Sequence, residues 1–235
     1  MNKRGKLYLI PVPISEEEGL QHLPELNHTI VNTLQYFISE NAKTCRKHLK
    51  IFGYPAIDQA QIYELNQHTP INELQGLIKP LLEGDDLGLM SDAGVPGVAD
   101  PGAPILEMAH HHQIEVIPLT GPSSVLFAVM SSGFNGQNFA FVGYLPRENN
   151  ALKKRVQELE RLCKKEKQAQ YFIETPYRNK QLFEFLLKNL TGDTKLYVGI
   201  NLTGKKSLNK SASVADWKKM SEPEFHKIPA IFGIF

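Results

Sequence analysis

Short apolar runs alternate with stretches of helical spacing along this chain, and few folds accept that alternation. LYLI (Leu7–Ile10), LQYFIS (Leu34–Ser39), QIYEL (Gln61–Leu65), LGLMS (Leu87–Ser91) and IEVIPL (Ile114–Leu119) are rich in branched or aromatic residues and read as strands. Between them, INELQGLIKPLLEG carries Ile71, Leu74, Leu77, Ile78, Leu81 and Leu82 at helical spacing, with Pro80 weakening the helix and Gly84 placed to close it. Alternation of this kind predicts an α/β fold with parallel strands and helices on both faces. The second half repeats the grammar. NFAFVGY, QYFIE, KLYVGI and PAIFGIF read as strands. ALKKRVQELERLCKKEK reads as a helix with Leu152, Val156, Leu159, Leu162 and Cys163 on one face, and NKQLFEFLLKNLTG as another, with Gly192 past its end. LTGPSS breaks the pattern near Leu119–Thr120, so two domains are expected, 1–119 and 120–235.

A hydrophobic content of 42% in 235 residues is enough to bury a sizeable core. No apolar run approaches the ~20 residues of a membrane span. Pro11, Pro13 and the acidic SEEEG that follows argue against reading the N-terminus as a signal peptide. Cys45 and Cys163 stand far apart with no CxxC partner, which argues against a disulfide framework or zinc ribbon and suits a reducing cytoplasm. A net charge of +1 excludes a global basic footprint for nucleic acid and leaves only a local patch.

The stretch GLMSDAGVPGVADPG (Gly88–Gly102) follows a strand and holds four glycines and two prolines. Ligands of open parallel sheets sit beyond the carboxyl ends of the strands. Glycine lets the backbone approach a ligand, and proline stiffens the rest. A plain strand-to-helix connection is usually about two to six residues, so this loop is long for that role alone. A dinucleotide is disfavoured: the first strand leads into PVPISEEEG rather than GxGxxG, and Glu16 to Glu18 would repel a pyrophosphate. No GxxxxGK[ST] occurs either. A ligand without phosphate, carrying a positive centre and held by main-chain groups, suits these loops. S-adenosylmethionine is such a ligand, although the glycine-rich motif of common methyltransferases is absent.

These segments resemble the tetrapyrrole methylase superfamily, and within it the branch that methylates the ribose 2′-oxygen of a cytidine in small-subunit ribosomal RNA. The branch pattern LYxVPTPIGNL reads here LYLIPVPISEE, and EDTRxTRKLL followed by FGI reads ENAKTCRKHLKIFGY. SDAGTPxISDPG reads SDAGVPGVADPG, and VxPLPGPSAxxxALxxSG reads VIPLTGPSSVLFAVMSSG. FxFxGFLP reads FAFVGYLP, and FYESPHR reads FIETPYR. The matches run in order from Leu7 to Arg178.

The resemblance implies a two-domain fold, with a mostly parallel N-terminal sheet and a mixed-sheet C-terminal α/β domain. It implies a homodimer that binds S-adenosylmethionine in the cleft between the domains, with ribosomal RNA as acceptor and no metal. Cofactor contacts carry over to Pro11 and Pro13, to Asp92, Gly94, Val95 and Pro96, to Ser123 and Ser124, and to Glu174, Leu202 and Ala230. Three departures stand out. PIGNL has become PISEE; EDTR has become ENAK, so Asn41 and Lys43 replace an aspartate and an arginine; and RELTK has become INLTG (Ile200–Gly204). Arginine to lysine is not conservative where a phosphate fork is needed.

A ribose hydroxyl is a weak nucleophile and needs a base beside it. Glu40 is the candidate acceptor of its proton, and Lys43 holds a phosphate or tunes the base; an ordinary charge pair at a helix start is the plain alternative. His110, His111 and His112 point about 100° apart on a helix and do not share a metal, so an exposed helix end is expected. One of Ser123 and Ser124 is expected to cap a helix, and Asp100 to order its loop. Lys43, Arg46, Lys47 and Lys50, the basic helix from Ala151 to Lys167, and Arg178 are candidate phosphate contacts. Tyr144 and Tyr177 read either as base-stacking or as core residues. Two other readings stay open: a C-methyltransferase of tetrapyrroles, which needs a closed pocket rather than a basic rim, and a binding protein with weak turnover, motivated by ENAK and INLTG.

Overall fold

A computed structural model describes residues 4–15, 17, 21–66 and 69–235. Glu16 and Glu18, two of the three glutamates weighed against a pyrophosphate, lie outside the described residues, as does Gly19. Contacts divide the chain into two units, Met1–Ser123 and Ser124–Phe235.

The first unit runs β1 (Lys6–Ile10), α1 (Glu25–Val31), β2 (Tyr36–Ser39), α2 (Ala42–Ile51), β3 (Gln61–Glu64), α3 (Ile71–Leu77), α4 (Lys79–Glu83), β4 (Leu87–Met90), α5 (Ala103–His111) and β5 (Glu115–Pro118). The strands form one sheet in the order β3-β2-β4-β1-β5, and every pairing is parallel. Side chains alternate across it. Leu7, Ile38, Leu87 and Leu89 pack on one face with residues of α3, α4 and α5, while Ile10, Phe37 and Met90 pack on the other with residues of α1 and α2. Each face thus needs its own helical cover, as the alternation of strands and helices implies.

Two local expectations differ. The helix read through INELQGLIKPLLEG breaks at Ile78 into α3 and α4, because Pro80 has no N–H to continue the ladder and is tolerated only in a first turn. β2 starts at Tyr36, since Leu34 is spent in a turn, its N–H donating to the Val31 carbonyl while its side chain stays in the core.

The second unit runs α6 (Ser124–Ser132), β6 (Phe139–Tyr144), α7 (Asn149–Glu166), β7 (Ala169–Glu174), α8 (Asn179–Asn189), β8 (Lys195–Ile200), β9 (Leu208–Ser213), α9 (Val214–Trp217) and β10 (Ala230–Ile234). Its sheet is mixed, β6-β7-β10-β8-β9, with only β6 and β7 parallel. Residues of α7, α8 and α9 cover one face and α6 the other. β9, with the sequence LNKSAS, is an element that apolar patterning does not announce. It is a polar edge strand, held by six register pairs to β8 from Lys195↔Ser213 to Ile200↔Leu208. Polar and charged side chains are what an edge needs to resist further pairing.

Candidate active site

In the first sheet β1 lies between β4 and β5, so the connections from β1 to β2 and from β4 to β5 leave to opposite sides of it. That reversal opens a crevice at the carboxyl ends. The loops leaving β1, β4 and β5 are PVPIS, SDAGVPGVADPG and LTGPS, and they are stitched together by main chain. Val12 N donates to Gly94 O at 2.9 Å and Gly94 N to Val12 O at 3.1 Å. Gly94 has φ +75°, and a Cβ there would stand 3.4 Å from the Pro122 carbonyl oxygen. Gly121 is pressed on Pro11: a Cβ would meet Pro11 Cβ at 2.3 Å.

Side chains hold these loops from below. Asp100 accepts from Gly97 N and Gly102 N, each at 2.8 Å, and so brackets its loop as expected. Ser91 Oγ donates to Ala93 O at 3.1 Å. From α1, Asn27 Nδ2 donates to Thr120 O at 2.9 Å; from α2, His48 Nε2 donates to Asp92 O at 3.1 Å. Asn27 and His48 are buried, and motif reading missed both. The available signal for His48 was its polarity at a position where the branch pattern carries leucine.

The structure brings Pro11, Pro13, Asp92, Gly94, Val95, Pro96 and Ser123 onto these three loops. Pro11, Pro13, Gly94, Pro96 and Ser123 are buried, Val95 is half-buried, and Asp92 is exposed. Ser124 is the first residue of α6 in the second unit. Glu40 follows β2 at the same edge. Burial pushes its carboxyl above the usual range, the Asp92 and Asp100 carboxylates push it further, and the Asp92 main-chain N–H offsets them only in part. Burial also raises Asp92, against the opposing pull of His48 and Thr44. Three carboxylates therefore act on this edge, with His48 as the opposing group beside Asp92. Lys43 is exposed, and no ion pair joins it to Glu40 among the described residues. The helix start is instead capped by Asn41, whose Oδ1 accepts from Lys43 N at 2.9 Å and Thr44 N at 3.2 Å, so asparagine keeps the capping role its position requires.

In the second unit, Glu174, Ala230 and Leu202 come together. Ala230 pairs with Glu174 on one side and Ile200 on the other, and buried Leu202 follows Ile200 by two residues. Glu174 Oε1 accepts from Thr175 N at 2.7 Å, and Arg178 Nε lies 3.3 Å from Glu174 Oε2, near enough for an ion pair but off hydrogen-bond geometry. The INLTG turn is strained, with φ +48° at Asn201 and +71° at the β-branched Thr203. Tyr144 and Tyr177 are both exposed, which removes the core reading for each. His110 and His111 end α5, and His112 is its C-cap. Both cysteines are buried, their thiols pushed up by burial to about 12.

No family model matches the chain. Among curated relatives, it is 30% identical over 205 residues to the ribosomal RNA small subunit methyltransferase I of Thermotoga maritima, covering 85% of this chain and 84% of that protein. The chain belongs to the ribosomal RNA small subunit methyltransferase I family. A second family member, from Bacillus subtilis, is 31% identical over 201 residues, covering 86% of this chain. The chain spans 60–65% of the length of three family members, from Vibrio cholerae, Halalkalibacterium halodurans and Bacillus subtilis. The fold extends beyond the family: the solved structure of the methyltransferase CobJ superposes with a TM-score of 0.64 at 14% identity, covering 98% of this chain and 93% of that one. The two-sheet α/β architecture of the tetrapyrrole methylases is thus the architecture of this chain.

Proposed function

We propose that this chain transfers a methyl group from S-adenosylmethionine to a ribose 2′-hydroxyl in small-subunit ribosomal RNA. The observation that carries the reading is the Val12–Gly94 main-chain bridge, which fixes two glycine- and proline-bearing loops at the switch point of a parallel sheet. The residues present fit this cofactor. Its loops supply main-chain donors and acceptors, and Glu40, Asp92 and Asp100 give the edge a negative potential that favours a sulfonium and disfavours a phosphate. When bound, the cofactor supplies an electrophilic methyl group. Pro11, Pro13, Gly94, Val95, Pro96 and Ser123 shape its seat, Asp92 faces its polar part, and Ser124, Glu174, Leu202 and Ala230 are assigned further contacts. Glu40 receives the proton of the attacking hydroxyl, and its raised proton affinity makes it a stronger base than an exposed glutamate. Lys43 orients an acceptor phosphate. The names of the relatives support the acceptor. A homodimer working in the cytoplasm completes the reading. No described helix is long and apolar enough to cross a membrane.

Calorimetry with S-adenosylmethionine tests the seat, and labelled methyl transfer to small-subunit RNA followed by nucleoside mass spectrometry tests the acceptor. Saturable binding and a new 2′-O-methylated nucleoside are expected. Binding without methylation of RNA removes the RNA acceptor, and binding with no methylation of RNA, tetrapyrrole or any other acceptor favours a cofactor-binding protein.

A further inference from the structure

Two helices carry most of the basic residues that the sequence offers for phosphate contact, and their charge environments differ. α7 mixes six basic with three acidic residues, and three of its cations are already engaged: Arg155 with Glu158 at 2.6 Å, Lys164 with Asp193 at 3.7 Å and Lys165 with Glu166 at 3.0 Å. α2, AKTCRKHLKI, holds no acidic residue. Its Lys43, Arg46, Lys47 and Lys50 recur at i, i+3, i+4 and i+7, and all four are exposed on one face, while Cys45, His48 and Leu49 turn into the core. Lys43, Arg46 and Lys50 make no ion pair among the described residues.

This arrangement does not favour the helix itself. Lys43 stands in its first turn, where the macrodipole disfavours a cation, although Lys50 in the last turn is favoured. Lys43 with Lys47, and Arg46 with Lys50, are like charges four residues apart, which repel. A polyanion laid along this face would relieve that repulsion. None of the exposed large apolar side chains lies on α2, so the face lacks the apolar wedge that a membrane-surface helix inserts into lipid.

We propose that this face of α2 is a track for an RNA backbone, leading it to the sheet edge where Glu40 stands at the helix start. Lys43 to Lys50 spans about 10 Å, the length of roughly three phosphates along a stacked strand. The identity of the polymer as RNA rests on the methyltransferase reading; the track itself rests on the stripe.

The test measures binding rather than turnover. A fluorescein-labelled transcript of small-subunit ribosomal RNA is titrated by anisotropy at several KCl concentrations, with wild type, Arg46→Ala/Lys50→Ala, and Lys153→Ala/Lys154→Ala on α7 as control. The α2 pair is expected to weaken binding at low salt and to flatten the log–log salt slope by about 1.4, the loss of two phosphate contacts on a single strand, with the α7 pair close to wild type. Cofactor binding by calorimetry and the thermal midpoint stay as in wild type. An unchanged slope in the α2 pair, or a larger change in the α7 pair, overturns the track, even if the protein methylates RNA. A flattened slope in a protein that methylates nothing upholds the track and refutes the enzymatic reading. Binding to phosphatidylserine vesicles through Arg46 and Lys50, with no affinity for the transcript, also overturns it.

Discussion

Gly121→Ala is the sharpest probe of whether the three loops act as one seat. The new methyl carbon would sit 2.3 Å from Pro11 Cβ and 2.7 Å from Pro11 Cγ, with Leu23 Cδ2 at 3.2 Å behind it. Carbon atoms rest at about 3.5–4.0 Å, so the loops after β1 and β5 must part by about 1 Å. Pro11 is joined to Val12, whose 2.9 Å and 3.1 Å bonds to Gly94 do not survive such a shift. Overpacking costs about 1–3 kcal/mol, and losing the bridge adds about 1 kcal/mol. The thermal midpoint is expected to fall by roughly 5–10 °C. Affinity for S-adenosylmethionine should fall by about tenfold to a hundredfold, because displacements near 1 Å cost that much in a pre-organised site. Gly76→Ala is the control: it lies on the exposed side of α3, nothing stands within 4 Å of its Cβ, and it should gain about 0.5–1 kcal/mol. Scanning fluorimetry and calorimetry read both effects. A Gly121→Ala protein that melts and binds cofactor like wild type refutes the idea that this contact shapes the seat.

Three further outcomes are expected. Val95→Asp replaces an apolar side chain of the seat by a third loop carboxylate that must be desolvated when the cofactor binds; it should weaken cofactor binding at least tenfold by calorimetry while the melting point moves little, since the side chain is only half-buried. Glu40→Gln should weaken cofactor binding only slightly, since Asp92 and Asp100 keep the edge negative, and lose most turnover. In wild type the acid limb of the pH–rate profile should lie above the ordinary carboxylate range, because the base works only when ionised and its proton affinity is raised. The folded state holds that proton more tightly than the unfolded chain, so ionised Glu40 costs stability as pH rises through its folded pKa, and the glutamine variant should be no less stable at pH 7. Glu160 is the opposite case. Burial alone would raise it, but hydrogen bonds from Thr194 and Thr191, with Lys164 nearby, outweigh burial and lower it. Its stabilisation is present above the unfolded glutamate value and fades as pH falls through the lower folded one. Glu160→Ala should cost about 1–3 kcal/mol at pH 7, measured by urea unfolding, and the cost should shrink in acid.

Much of the fold was legible because burial on two faces of a parallel sheet leaves a mark in composition: strands such as LGLM are apolar throughout, and both their faces are covered. β9 was not legible, because an edge strand has one neighbour and a solvent side, and LNKSAS carries no burial signal. The candidate loops announced themselves through glycine and proline, whose backbone restrictions are local and can be read one residue at a time. Asp100 also bonds within its own loop, so its role followed from its neighbours in sequence. Asn27 and His48 act across 93 and 44 residues of chain; nothing around Asn27 marks it, and His48 is marked only by its polarity where the branch pattern carries leucine.

The amino-acid sequence alone determined most element types, β9 excepted, the parallel character of the first sheet and the stiffness of its loops, since these depend on periodicity and backbone preference. Only the tertiary structure decided that Val12 bonds Gly94, that His48 carries the Asp92 carbonyl, and that Lys43, Arg46 and Lys50 of α2 make no ion pair among the described residues while the cations of α7 are partly paired. Those facts depend on which distant segments the sheet order brings to one edge, and sheet order is set by how whole faces pack rather than by any single stretch of chain.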